Sequence, residues 1–500
     1  MVKTPLYKIA VVFLFVLALS FVSGGKVHAA SITVVGGLDD IATNGDCQLS
    51  EAIININDQA QTYPDCVAGD GINDTITLPP ATITLSDNLP VVTQPVSIEG
   101  VGTNSSIIDG NIGQYFGLEF AADGDVVLSD FKIQAFRAFG LSAGNSGLVI
   151  NNIEIDGLNA VEAPTSFSFG QFVIGGISYV LNSPVNRNLD VTGLYIHDLT
   201  LPTGIYVSGF RIDTGNGATA NINVKNMTIS EIHSESPNTP QVSGLAVGVN
   251  GAVVGENMFS NITINDITAS SSTVASAVQI TAGSVGLGTI ASEVDFRNVT
   301  ISRFEADANQ NNADSAILVL GYGATNTDVA NVNLNITNLL VLDSRVGGAP
   351  DSCQTLDATS GFGGTGLGYP TITSQGGNLS DDTTCSSFFT QPTDQNNLTN
   401  LSSTLGPLSD NGGYVPTIPL LQGSPAIDSG VTVAGLITDA RQAVRPQGTA
   451  YDSGAYESPF TKPTTSLLAS TGQSTLLLTI AGMCGIASSV VLIGVIKSRY

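Results

Sequence analysis

One phrase recurs along the middle of the chain and constrains its fold more than any other feature. It is an alternating apolar run, then Asn or Asp, then apolar-x-apolar. It occurs as VVLSDFKI (at Asp130), GLVINNIEI (Asn152), GLYIHDLTL (Asp198), INVKNMTI (Asn226), ITINDITA (Asp266), VDFRNVTI (Asn298) and LNITNLLV (Asn338). Alternation with period two marks short strands with one buried face. Asn and Asp tolerate left-handed backbone, so their fixed place marks a tight corner. The corners are 22, 46, 28, 40, 32 and 40 residues apart, consistent with one coil of ~20–30 residues, one coil with a long excursion, or two coils.

A meander of hairpins would not return the same corner so often. A right-handed parallel β-helix would, with Asn side chains stacked from coil to coil. Its interior would hold Ile133, Ile153, Ile155, Leu199, Met227, Ile229, Ile267, Val299, Ile301 and Leu339. Ile76, Leu78, Ile83, Leu85, Val96 and Ile98 extend the alternation towards the N-terminus. The expected class is all-β: a right-handed parallel β-helix, a pectin-lyase-like solenoid, over 71–345. Long excursions such as Ala160–Asn188 would protrude from one side.

A solenoid needs caps, because its open ends expose core and strand edges. Asp46–Asn57 predicts a short amphipathic helix with Leu49, Ala52, Ile53 and Ile56 on one face, inside an N-terminal cap over 30–70. Cys47, Leu49, Glu51, Ala52 and Ile53 resemble the CSLREA motif of exported bacterial β-helix proteins; Gln48 and Ser50 depart from it. Near the other end come GPLSDNGG, LLQGSPAIDSG, TDARQAVRP and YDSGAYE in order. They resemble the choice-of-anchor Q domain, with Gln442 in place of a Gly, and imply C-terminal coils and a cap over 346–457.

The termini carry addresses. Lys3 and Lys8 precede an apolar run from Ile9 to Val22, and Val27-His28-Ala29 suits cleavage, so 1–29 is expected to be a signal peptide. After a Pro/Thr spacer over 458–467, residues 475–496 form an apolar stretch of bilayer length, the expected transmembrane helix. The basic tail Lys497–Tyr500 would stay in the cytoplasm. Leu468-Ala469-Ser470-Thr471-Gly472 stands just before the span. Pentapeptide, span and tail (468–500) resemble the LPxTG sorting signal of Gram-positive surface proteins, with Ala469 in the Pro position. The resemblance implies a sortase-like transpeptidase that cuts after Thr471; a plain membrane span is the alternative. Either way the body would be extracellular, tethered to cell wall or membrane.

Two cysteine pairs agree with export. Cys47 with Cys66 and Cys353 with Cys385 are the sequence-local choice among three connectivities, each worth ~2–4 kcal/mol in a loop-entropy account. Cys484 falls inside the apolar span, and no Cys/His spacing suits zinc.

Between the addresses, 11 bases face 42 acids. That balance opposes nucleic-acid binding and resists self-association. It would also concentrate divalent cations such as Ca2+, with no dedicated site assigned. Asp428, Asp439, Arg441, Arg445, Asp452 and Glu457 concentrate charge near the C-terminus. They could hold a ligand or Ca2+; an Arg–carboxylate network is the favoured reading, since two Arg repel a cation.

No catalytic residue is assigned. Asn326-Thr327-Asp328 resembles a hydrolase phrase, but its companions are missing; Arg211-Ile212-Asp213 is isolated. His197 and His233 lie in or beside coil phrases and are taken as solvated or corner histidines, and Asp39-Asp40 and Asp381-Asp382 as loop acids. With no Trp and 12 Tyr, sugar-stacking platforms are few. The favoured function is a non-enzymatic surface protein for adhesion or envelope structure, whose partners would be the envelope and glycans or proteins of a host or neighbouring cell. The alternative is a surface-anchored polysaccharide lyase or glycoside hydrolase.

Overall fold

The computed structural model describes residues 29–159, 173–182, 184–201, 206–215, 217–234, 241–250, 257–270, 274–284, 286, 288–308, 313–323, 325–357 and 366–462. The signal segment up to residue 28, the LASTG pentapeptide, the apolar span and Cys484 lie outside these residues. Among the described residues no helix is long and apolar enough to cross a membrane.

The described chain is nearly all-β, with one sheet of 17 strands and a second of 8. In the coiled body the strands alternate between the two sheets, and each pairs in parallel with its equivalent one turn earlier. The arrangement is consistent with a β-helix solenoid. Parallel strand pairing runs from Ser31–Thr33 against Asp74–Thr77 to Leu379–Ser380 against Leu340–Val341, with one further parallel bridge from Leu379 to Gln395, so it outruns the expected 71–345 at both ends. Part of the expected excursion Ala160–Asn188 is regular: Val173–Leu181 is a strand of the second sheet. All ten named interior residues of the coil phrases are buried, as are the six earlier ones.

Each long strand of the larger sheet bends twice, at residues with positive φ five positions apart. The first corner column is Asp130, Asn152, Gly193, Asn226, Asn261, Asn298 and Asn338; the second is Ala135, Gly157, Asp198, Glu231, Asp266, Arg303 and Asp343. Asp198 and Asp266, expected in one column with the Asn corners, belong to the second column. Their places in the first are taken by Gly193, at φ +75°, and Asn261. With this register the first-column spacings become 22, 41, 33, 35, 37 and 40 residues. The Asn side chains do stack: Asn152 Nδ2 donates to Asp130 Oδ1 at 2.7 Å, Asn261 to Asn226 at 3.0 Å and Asn338 to Asn298 at 3.3 Å.

The four residues between corners form a narrow facet, pointing alternately in and out. The inward Ile155, Ile196, Ile229 and Ile264 face a column of small residues in the second sheet, Gly140, Gly176, Gly209 and Gly244. A Cβ on Gly209 would lie 2.6 Å from Ile229 Cγ2, so the missing side chains let the two sheets close on the isoleucines.

The helix forms at Leu49–Asp58 with Leu49, Ala52, Ile53 and Ile56 fully buried. Glu51 accepts from Gln48 N at 3.2 Å and Ala42 N at 3.1 Å, tying the helix start to the preceding loop. Disulfides join Cys47 to Cys66 and Cys353 to Cys385, with Cα atoms 4.8 and 5.0 Å apart.

The expected C-terminal cap is placed differently. Residues 405–457 form a strap of short antiparallel bridges that lies along the side of the coils. Thr228 donates to Pro416 O at 2.7 Å, Asn261 to Thr438 O at 3.0 Å, and Asn338 exchanges bonds with Val431 at 2.8 and 2.7 Å. The cause is local chemistry. The facet turns Leu340 and Leu342 outward, and these must be buried; they pack with Leu379, Leu401, Leu420, Ala426 and Ile427 of the following chain.

Candidate functional site

The strap stops at the coil of Tyr195, whose ring lies against Val415, Ala440 and Ala455. Beyond it the facet presents Lys132 from one coil, Glu154 and Asp156 from the next, and Tyr195 and His197 from a third. Each stands two or four residues after a first-column corner, the outward positions of the facet.

These groups bond across coils. Lys132 Nζ is 2.6 Å from Glu154 Oε1 and 3.4 Å from Asp156 Oδ2. His197 Nε2 is 3.2 Å from Glu154 Oε1, and its Nδ1 is 2.8 Å from Asp198 Oδ2. Its ring stacks on Tyr195 with centroids 4.0 Å apart. Because both ring nitrogens face carboxylates, the imidazolium, which donates from both, is the form that satisfies them. Burial alone would lower the His197 pKa; Glu154 and Asp198, with Asp156, outweigh it and hold it above the ordinary value. Burial likewise works against Glu154, but His197 and Lys132 pull its carboxyl below the usual range.

Glu154, Asp156 and His197 offer ligand atoms within 4.8 Å of one another, a set that could hold a metal ion. The Lys132 ammonium and the His197 protons already supply the positive charge that the carboxylates require. The groups suit proton transfer at least as well as metal binding.

A second feature runs from Tyr195 along the other edge of the strap. It is a groove of about 480 Å3, walled on one side by Glu231, Arg303 and Asp343 of the second corner column and on the other by Ser402 and Leu405–Asp410. Asn265, Ser302 and Leu342 of the facet also line it. Glu231 is pushed up to about 7, first by a hydrogen bond shared with Asp198 and then by burial. Asp198 moves down in return.

The residues singled out from the sequence are not assembled in one place. Asp428, Asp439, Arg441, Arg445, Asp452 and Glu457 bind one another and the backbone of the strap. Arg445 and Glu457, both fully buried, pair at 2.8 Å, and Arg441 meets Asp439 at 2.6 Å. Asp428 accepts from Thr449 N and Ala450 N at 2.6 and 2.9 Å. Asp452 accepts from Asp428 N and Ser458 N at 2.7 and 2.6 Å. Asp328 accepts from the amides of Gly286, Gly288 and Thr325, each at 3.0 Å, which draw its carboxyl down to about 2. Arg211 pairs with Asp213 at 2.6 Å in the second sheet. Asp39 and Asp382, taken as loop acids, are buried and bind Ser50 and Ser352.

Sequence reasoning passed over Lys132, Glu154, Asp156 and Tyr195, and took His197 as a solvated or corner residue; it is largely buried on the facet. Aligning the phrases on Gly193 instead of Asp198 would have stacked these outward positions. Compared with known proteins, the chain matches no family model, no curated protein and no solved structure.

Proposed function

We propose that the chain is an exported, non-enzymatic cell-surface protein, a right-handed parallel β-helix of the pectin-lyase-like kind tethered by its C-terminus. Its task on this reading is adhesion or envelope structure. The observation that carries it is the strap. Outward side chains aligned on adjacent coils are the place where a solenoid can assemble chemistry, and on this facet Thr228 and Thr300 are spent on internal bonding to residues 405–457, as is the corner Asn261 beside them. The two disulfides support an oxidising compartment. The resemblances to the CSLREA motif, the choice-of-anchor Q domain and the LPxTG signal support export and anchoring, with the sortase joining Thr471 to the envelope.

Fractionation of the producing cells tests the anchor. Wild type is expected in the wall fraction and Thr471→Ala in the membrane fraction. Equal membrane fractionation of both removes the sortase step, and wild type free in the cytoplasm removes surface display altogether. Adhesion is tested by comparing producing cells with a deletion strain on host-cell and glycan surfaces; equal retention sinks that part of the reading.

The alternative, an anchored polysaccharide lyase or hydrolase, is favoured by Lys132, Glu154, Asp156 and His197 on three adjacent coils. New reducing or unsaturated ends from a polysaccharide, abolished by Lys132→Met and by His197→Gln, would establish it over the first.

A further inference from the structure

The groove beside the strap contains a polar atom that the fold leaves unanswered. Asn265 is 2 % exposed and lines the groove, and its Nδ2 has no hydrogen-bond partner among the described residues. Its Oδ1 accepts from Arg303 Nε at 3.3 Å, which fixes the amide: a flipped side chain would set two donors against each other. A buried unanswered donor costs about 1–3 kcal/mol, so an acceptor that reached it at the groove wall would be favoured.

The charge of the groove narrows that acceptor. Glu231, Asp343 and Asp410 line it, against Arg303, whose guanidinium is already 3.3 Å from Asp266. An anionic ligand would meet repulsion, in a chain whose formal net charge is −26. A polyamine would suit the carboxylates, but it has no acceptor for Asn265. A neutral hydroxyl answers both demands, since it accepts from the amide and donates to a carboxylate. Leu405, Pro407 and Leu408, none of them buried, add apolar surface suited to the C–H faces of a sugar ring. The volume of about 480 Å3 falls in the usual range for small-ligand clefts.

We propose that this groove binds a neutral saccharide, a glycan end or short oligosaccharide, with Asn265 donating to one hydroxyl and Glu231 and Asp343 accepting from others. This deepens the adhesion reading by naming the class of partner, and it rests on that reading only for where the sugar is displayed.

The test uses the full chain in a detergent without a sugar headgroup, since a glycoside detergent would compete. Maltotriose, cellotriose, mannotriose and tri-N-acetylchitotriose are the probes; trigalacturonate, spermidine and trialanine are the comparators. Saturation-transfer NMR and calorimetry read binding. At least one neutral trisaccharide should bind, and Asn265→Asp should weaken it tenfold or more. Asp343→Asn, on the outer wall, should weaken it as well, and it serves alone if Asn265→Asp melts early. Binding of none of the four overturns the proposal, as does preference for trigalacturonate, spermidine or trialanine, or affinity unchanged in both variants. Adhesion of producing cells is scored separately. Wild-type cells that adhere while trisaccharides fail to bind sink the groove and leave adhesion standing. Trisaccharide binding without adhesion does the reverse.

Discussion

Asn338 does three things with one amide. It adopts the left-handed corner at φ +55°, donates to Asn298 in the ladder, and exchanges two bonds with Val431 of the strap. Asn152, in the same column, donates to Asp130 and, among the described residues, shares no hydrogen bond with the strap. Glycine keeps the corner and loses the amide, so it separates the roles. Asn338→Gly should cost about 2–3 kcal/mol in urea unfolding, at about 1 kcal/mol for each bond lost. Asn152→Gly should cost less than about 1 kcal/mol. Equal losses would mean that the strap contributes nothing through this residue. The first column was partly legible because Asn favours left-handed backbone. The second was not, since Ala135, Glu231 and Arg303 take φ of 55°, 57° and 58° without any such preference. Their neighbours in the stack impose the bend.

At the scale of elements, the strap and the glycine column make opposite demands. Inside the strap, burial and then the charge of Glu457 push Asp452 up to about 7. A raised carboxyl contributes stability that is complete below its unfolded pKa, about 3.9, and that fades as pH rises through the folded value. Melting temperature should therefore fall between pH 4 and 8, and Asp452→Asn should flatten that fall; an unchanged slope would reject Asp452 as its source. In the second sheet, Gly209→Val would drive a side chain into Ile229 Cγ2 at 2.6 Å and Gly244 O at 2.7 Å. Overpacking of this kind costs about 1–3 kcal/mol, so the variant should melt several degrees lower. Melting at the wild-type temperature would show that the sheets can part there. The helix was legible element by element, because Leu49, Ala52, Ile53 and Ile56 repeat at helical spacing on a few consecutive residues. The strap was not: its phrases are polar and turn-rich, and they give no sign of which coil they will touch.

Across the whole molecule, the strap converts an exposed facet into an interior. Leu340 and Leu342 are buried because chain that follows the coils covers them. A chain ending at residue 404 should keep its parallel strands by circular dichroism, bind a hydrophobic dye and self-associate despite its net negative charge. A monomeric truncated chain with no dye binding would show that the facet needs no cover.

By itself the sequence determined the alternation of buried and exposed residues, the all-β class, the amphipathic helix and the two cysteine pairings, because each depends on neighbours close in the chain or on pairs within one region. Only the tertiary structure decided which coil residue lies above which. Equivalent corners are separated by 22 to 41 residues, so sequence spacing carries no fixed register. The backbone ladder sets that register, and with it the second corner column, the meeting of Lys132, Glu154, Asp156 and His197, and the groove at Asn265. The return of residues 405–457 along the side was decided the same way: Pro416 meets Thr228 across 188 positions, a contact that only the stacking of the coils brings within reach.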